Sequence, residues 1–369
     1  MTPLSLYQAD LQKSNFFADD SQAKAIQYLQ RLYDDLNASS STSSQKFSGL
    51  SRLFKRNKPK GANIKGIYFY GGVGRGKTYL MDLFFHSLET KRKSRLHFHH
   101  FMLRVHKELA LLSGQKNPLI KIAKKFAIEA DIICFDEFFV DDITDAMILA
   151  GMFEALFAEG VILVATSNIQ PSDLYKNGLQ RARFLPAIDL IESHCEIYNL
   201  DGGKDYRLDR LIETEIYHFP LDDEANTLVI NTFESLACAD KIYNKSLTIN
   251  GREIQTSAYS VDTLLINCAS LCDGPRAVAD YIELAIVYRT IILTNVPQMN
   301  AQKNDMARRF IAMIDEFYNH HVIVIISAEV DVYSLYSGPQ LAFEFQRCIS
   351  RLLEMQSKEY LQNAHHVPL

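Results

Sequence analysis

The spacing of apolar positions changes several times along the chain, and those changes divide it. Between residues 18 and 36, Ala23, Ile26, Leu29, Leu32 and Tyr33 recur at steps of three and four, which predicts an amphipathic helix. The polar run Ser39 to Ser44 then breaks the pattern and is too polar to fold alone. From Gly66 onward short apolar runs alternate with helical stretches. The runs predict strands at 66–70, 95–101, 131–135, 161–166 and 194–199, with helices beginning near 76, 103, 118, 143 and 172. This alternation is the pattern of βαβ units, whose mostly parallel sheet is covered on both faces. The run Val161 to Thr166 suits a central strand of such a sheet.

Past residue 207 the character shifts. Asn250-Gly251 between strand-like runs predicts a hairpin within 245–257. Thr290 to Tyr336 echoes the layout of Asp131 to Tyr175, but Asn295 and Val296 stand where the earlier copy has two acids. The echo reads as a repeated βαβ architecture without chemistry. A closing helix over 341–361 carries Phe345, Ile349, Leu352 and Leu353 on one face, with Arg347 and Arg351 one turn apart. The expected organisation is therefore a helical segment at 1–36, a linker at 37–62, a sheet-bearing core at 63–207 and a mixed α/β region at 208–369.

Composition narrows the class of protein. A length of 369 residues suggests two or three packed units, and 47 % hydrophobic with 22 % charged residues excludes collagen-like and wholly disordered chains. The net charge of −5 argues against a dedicated duplex-DNA binder. Lys46, Arg52, Lys55, Arg56, Lys58, Lys60 and Lys65 nevertheless form a basic stretch, which reads as a solvated linker or as an arm for an acidic partner, an anionic membrane surface or nucleic acid. Met1 to Phe17 carries Asp10 and no secretory pattern, and no run is apolar enough to span a bilayer, so a soluble intracellular protein is expected. The scattered Cys134, Cys195, Cys238, Cys268, Cys272 and Cys348 read as buried reduced thiols, the pair Cys268 and Cys272 as two positions on one helix face.

The chemistry concentrates in a few places. Gly71-Gly72-Val73-Gly74-Arg75-Gly76-Lys77-Thr78 fits the phosphate-loop pattern in full, between a strand and a helix. Glycines let successive backbone N–H groups face phosphate oxygens, and the helix start adds its positive dipole end. Lys77 would reach the β- and γ-phosphates of ATP, and Thr78 would offer its hydroxyl to Mg²⁺. Asp131 to Glu137 is an apolar strand ending in two acids. Asp136 is the candidate for holding Mg²⁺, and Glu137 for orienting the attacking water, which favours hydrolysis over phosphoryl transfer to another acceptor.

Asn168, just past the 161–166 strand, is a candidate γ-phosphate sensor. Arg181 or Arg183, in Gly178 to Phe184, is a candidate finger acting in trans on a neighbouring subunit; the alternative is a surface arginine paired with Asp189 or Glu192. His97 and His99 on one strand face and His100 on the other would not converge, and with His106 they argue against zinc. The fold class expected from these motifs is α/β: a P-loop NTPase of the AAA+/ASCE-like type, a three-layer sandwich with a parallel sheet, followed by the mixed C-terminal region.

Several of these segments resemble the AFG-like family of P-loop ATPases, in particular its bacterial cell-division branch. They are Gly71 to Thr78, Leu96 to His106, Cys134 to Ala146, Ala165 to Asn168, Asn177 to Pro186, Ala307 to Ile311, Ser327 to Val330 and Phe345 to Arg351. The resemblance implies an AAA+-type ATPase of the bacterial cytoplasm. It further implies action at the division site and contact with the tubulin-like ring protein FtsZ, whose filaments it would make less stable when ATP is present. By position it implies nucleotide binding at Gly71 to Thr78, the acidic pair Asp136 and Glu137, and the finger at Arg181. It also implies a homo-oligomer with composite ATP sites. The hairpin and strands of 245–330 depart from an ordinary helical lid, and Arg347 or Arg351 is a candidate second nucleotide sensor. The alternatives are a nucleic-acid-directed ATPase resembling helicase loaders, motivated by the basic stretch, and a threading unfoldase, for which residues 79–130 lack an aromatic–aliphatic–glycine triplet.

Overall fold

A computed structural model of the chain describes residues 1–13, 19–41, 64–72, 74–200, 215–237 and 241–362. Most of the serine-rich and basic stretch, Val73 and Cys238 therefore lie outside the described residues. The chain forms two compact units, Met1–Lys204 and Asp205–Leu369.

The first unit is built on five parallel strands: β1 (Gly66–Tyr70), β2 (Lys93–His97), β3 (Ile132–Asp136), β4 (Ile162–Ser167) and β5 (Cys195–Asn199), in the order β2-β3-β4-β1-β5. Alternation along each strand sends successive side chains to opposite faces. Ile67, Phe69, Ile132, Cys134, Ile162 and Val164 pack under α1 (Pro3–Asp10), α2 (Asp20–Ser41) and α3 (Lys77–Ser87). Tyr68, Ile133, Phe135, Leu163 and Ala165 pack under α4 (Phe98–Leu111), α5 (Pro118–Glu129), α6 (Ile143–Ala158) and α7 (Leu185–His194). A sheet covered on both faces needs apolar residues at consecutive positions, which is why β1, β3 and β4 are buried almost throughout. The unit is the three-layer sandwich of a P-loop NTPase.

Local signals account for the helix starts. Asp142 accepts from the backbone N–H of Thr144 and Asp145 at 2.6 and 3.1 Å, capping α6. Asp19 does the same for Ser21 and Gln22 at the start of α2. Several expectations need correction: α2 runs on to Ser41, past the expected serine break, and the closing helix is Ala342–Glu354 with a separate Lys358–Gln362. The second strand ends at His97, and α4 begins at Phe98, so His99 and His100 stand in the first turn of a helix. No α-helix begins near 172: Pro171–Asp173 and Arg181–Arg183 are single 3₁₀ turns, and the helix is Leu185–His194, after the arginines. The helix α1, capped by Thr2 and Ser5, lies within the expected helical segment as a second helix of eight residues.

The second unit carries a six-stranded mixed sheet and a separate hairpin. The hairpin pairs Ser246–Ile249 with Arg252–Gln255 across Asn250 and Gly251, both with positive φ, as a tight primed turn requires. The larger sheet holds the parallel strands Thr263–Asn267, Thr290–Val296 and Ile323–Ala328. The helix Asn304–Asn319 between the last two buries Phe310, Met313, Ile314 and Phe317. The echo of the first unit is thus a βαβ crossover. Arg347 and Arg351, on the helix Ala342–Glu354, both pair with Asp315, which gives them a structural tie. All five described cysteines are buried and unbridged. Among the described residues, no helix is long and apolar enough to cross a membrane.

Gly66 tests the packing of β1 on β4. A Cβ there would lie 1.8 Å from the Leu163 carbonyl oxygen, and backbone cannot yield as a side chain can. Gly66→Ala is expected to cost at least about 3 kcal/mol in chemical denaturation. Gly274→Ala, where a Cβ meets nothing within 4 Å, is the control and should stay within about 0.5 kcal/mol.

Candidate active site

Strand register places the sequence-predicted residues. Tyr70, the last residue of β1, lies beside Ser167 at the end of β4, and Phe135 of β3 lies beside Ala165, so Asp136 is level with Thr166. Parallel pairing therefore brings the phosphate loop and the acidic pair to the carboxyl rim of one sheet, with β4 between them. That rim is where an open parallel sheet binds ligands.

The loop leaves β1 through residues that only glycine adopts readily. Gly71, Gly74 and Gly76 have φ of 148°, 77° and 81°, and Gly76 is the N-cap of α3. Lys77 bends back over the loop, its Nζ donating to the carbonyl oxygens of Gly71 and Gly72 at 2.6 and 2.7 Å. Thr78 is the second residue of α3, so its hydroxyl stands at the helix start.

Glu137 is half-buried with φ of 51°, a left-handed conformation uncommon for a residue with a side chain. It is held there by β4. The Glu137 N–H donates to Thr166 Oγ1 at 3.3 Å, and the Phe138 N–H donates to the Thr166 carbonyl at 2.7 Å. The kink turns the chain out of the sheet immediately after Asp136. Asn168 is exposed just past β4, whereas Ser167 is buried and donates from its hydroxyl to the Phe138 carbonyl at 2.7 Å.

Arg181 is half-buried, and its Nη2 donates to the Ser172 carbonyl at 2.6 Å; among the described residues it pairs with neither Asp189 nor Glu192. Arg183 is exposed.

Three functional neighbours escape a reading of the sequence. Arg95 on β2 donates from Nε to Asp136 Oδ2 at 2.6 Å and from Nη2 to Oδ1 at 3.2 Å. Its Nη1 donates to Asp82 on α3. The third is Gln22 of α2, buried against the loop, whose Nε2 donates to the Arg75 carbonyl at 3.4 Å. Asp10 adds a second tie from the N-terminal segment, accepting from the Tyr79 hydroxyl at 2.8 Å. No motif flags these residues. The only available signal was the parity of β2, which puts Arg95 on the same sheet face as Asp136.

The donor set at the rim fits a hard divalent cation: a carboxylate from Asp136, Glu137 next to it, and the hydroxyl of Thr78. No soft ligand competes there, since Cys134 is fully buried and its thiol is pushed up to about 12 by that burial. Among the described residues no three His, Cys, Asp or Glu side chains converge as a metal cluster. His106 instead meets Asp145 at 2.5 Å.

A glycine-wrapped phosphate loop and an acid pair on one rim of a five-stranded parallel sheet define the class: this is a P-loop ATPase. The sequence matches the AFG1-like ATPase family over residues 1–364, and the chain belongs to that family. It is 48 % identical over 370 residues to the cell division protein ZapE of Escherichia coli strain K12, covering 99 % of this chain and 98 % of that one. It is also 36 % identical to lactation elevated protein 1 homolog B of Danio rerio, covering 80 % of this chain and 68 % of that one. Among solved structures it is similar to DnaI, at 18 % identity and a TM-score of 0.35, over 54 % of this chain and 93 % of that one.

The histidines beside the site give a pH test. Burial, with repulsion from His97 and His99, lowers His100 from the ordinary 6.5 to about 4, and burial also lowers His99 against the pull of Asp145 and Asp141. The unfolded chain therefore takes up these protons first, so the stability they contribute is complete above about pH 6.5 and is lost as pH falls toward 4. Asp145, raised mainly by burial, acts in the opposite sense, so the variant comparison isolates the imidazole. Melting temperature should drop between about pH 7 and pH 4.5, and drop less in His100→Asn.

Proposed function

We propose that this chain is a magnesium-dependent ATPase of the bacterial cytoplasm, possessing composite sites in a homo-oligomer, and that it remodels a protein filament in cell division by lowering the stability of FtsZ polymers. One observation carries the catalytic half: the phosphate loop and Asp136 share a rim, and buried Arg95 joins Asp136 to Asp82 on α3, the helix that the loop opens into. The cellular half rests on a full-length relative whose name is cell division protein ZapE.

Each residue has a task in this reading. The loop from Gly71 to Gly76 wraps the phosphates, and Lys77, now on two loop carbonyls, turns to the β- and γ-phosphates. Thr78 and Asp136 would hold Mg²⁺, which when bound would offset the charge of the phosphates. Glu137, fixed by its kinked backbone, orients and polarises the attacking water. Asn168, exposed at the end of the intervening strand, senses the γ-phosphate. Arg181, half-buried and donating to the Ser172 carbonyl, would reach a neighbouring subunit's nucleotide. The division-ring partner and any peripheral contact with the inner membrane belong to the same proposal.

Turnover measured with and without purified FtsZ tests it. Lys77→Ala should lose nucleotide binding. Glu137→Gln should keep binding and lose about 10²–10⁴ in kcat. Arg181→Ala should lose about a thousandfold in kcat with binding intact. Mixing Lys77→Ala with Arg181→Ala should restore part of the rate, because a composite site is intact wherever a Lys77→Ala subunit offers its Arg181 to the loop of an Arg181→Ala subunit. Absence of any rescue refutes action in trans, and an FtsZ polymer unaffected by the wild type with ATP refutes the filament role.

A further inference from the structure

We propose that Arg95 is a positioning residue of the ATP site: it fixes the Asp136 carboxylate and ties it to Asp82, so that the metal-facing carboxylate and the phosphate-loop helix move as one body. The inference rests on the reading of Asp136 given above and assigns a role to two residues outside any motif.

Register supplies the geometry. Arg95 pairs with Cys134 and His97 with Asp136 across β2 and β3, so by strand parity Arg95 and Asp136 point to the same sheet face. That face is covered by α3. On α3, Asp82 stands one turn after Thr78, and residues four apart share a helix side. The guanidinium lies between the two acids, with its Nε and Nη2 forking onto Asp136 and its Nη1 reaching Asp82.

All three side chains are buried: Arg95 is 5 % exposed, Asp82 8 % and Asp136 3 %. Burial would by itself lower the affinity of Arg95 for its proton, but Asp136 and Asp82 together raise it well above the ordinary value. The arginine is therefore a fixed charge.

This arrangement decides how a cation can be met. Withdrawing Arg95 would leave two buried carboxylates without it, so the arginine stays in place when nucleotide arrives. A carboxylate offers about four lone-pair sites, and the fork uses one on each oxygen. The sites left open are those that would accept from a water of the metal. Taken by themselves, two carboxylates and one guanidinium sum to one negative charge, which favours a cation at that rim. A shift of α3 as the loop closes on phosphates is carried through Asp82 and Arg95 to Asp136. Lys93, two residues earlier on the same strand face, has a different duty, since its Nζ donates to the carbonyls of Phe85 and Leu88 at the other end of α3.

The experiment measures ADP affinity of the full chain by calorimetry, in EDTA and in magnesium, and takes the ratio. Arg95→Lys keeps the charge but cannot fork onto a carboxylate. It should bind ADP in EDTA within about twofold of wild type while the magnesium-dependent gain falls by about tenfold or more. Asp82→Asn keeps an acceptor for Nη1 and should show a smaller fall in the same ratio. An unchanged ratio in Arg95→Lys overturns the proposal. So does an equal loss of affinity in both conditions accompanied by a lower melting temperature, because that marks an arginine that only supports the fold. If Arg95→Lys does not fold, Asp82→Asn decides, and an unchanged ratio there overturns the proposal. Wild type that binds no ADP in either condition overturns instead the active-site reading on which this one rests.

Discussion

Parallel pairing of β1, β4 and β3 is the constraint on which the site depends. Parallel strands are joined by crossovers, so every strand in the sheet delivers its carboxyl end to the same rim. A glycine loop after one strand and two acids after another then meet without any contact between them in sequence. The interposed β4 also does more than separate them. Its Thr166 accepts from the Glu137 and Phe138 N–H groups, and its Ser167 hydroxyl donates to the Phe138 carbonyl, so one strand end dictates how the next leaves the sheet. The left-handed backbone at Glu137 is the result.

Charge burial is the second consequence of that layout. Asp136 sits at a strand end covered by α3, where an unpaired carboxylate would be costly. Removing one partner from a buried ion pair typically costs about 3–5 kcal/mol, so Arg95 and both of its acids are strongly interdependent. Lys77 bends back over the loop and donates to the Gly71 and Gly72 carbonyls. The N-terminal helices add a third hold, through Gln22 on the loop and Asp10 on Tyr79.

The second unit shows the same strand-end device with different residues. Asn295 has φ of 57°, and its N–H donates to the Ser327 hydroxyl at 3.2 Å, as Glu137 does to Thr166. A βαβ crossover with a hydroxyl on the neighbouring strand can therefore form this kink whatever side chain it carries. An amide there lacks the charge that Glu137 carries.

The sequence by itself determined the strands of the first unit, the phosphate loop, the acidic pair and the hairpin at Asn250-Gly251, because each follows from local periodicity or from backbone conformations that few residues adopt. It misplaced the end of β2 and the helix near 172. Phe98 and Phe101 extend the aromatic pattern past the end of the strand, and Pro171 opens only one 3₁₀ turn. Only the tertiary structure decided that Arg95, Asp82 and Gln22 belong to the site. Arg95 meets Asp136 from 41 positions away, Asp82 meets Arg95 from 13, and Gln22 meets Arg75 from 53. The first two of these separations are spanned by sheet register and by the packing of α3 on the sheet, and the third by the docking of α2 on the loop. Contacts of that kind are fixed by how elements stack, and no local pattern of letters records them.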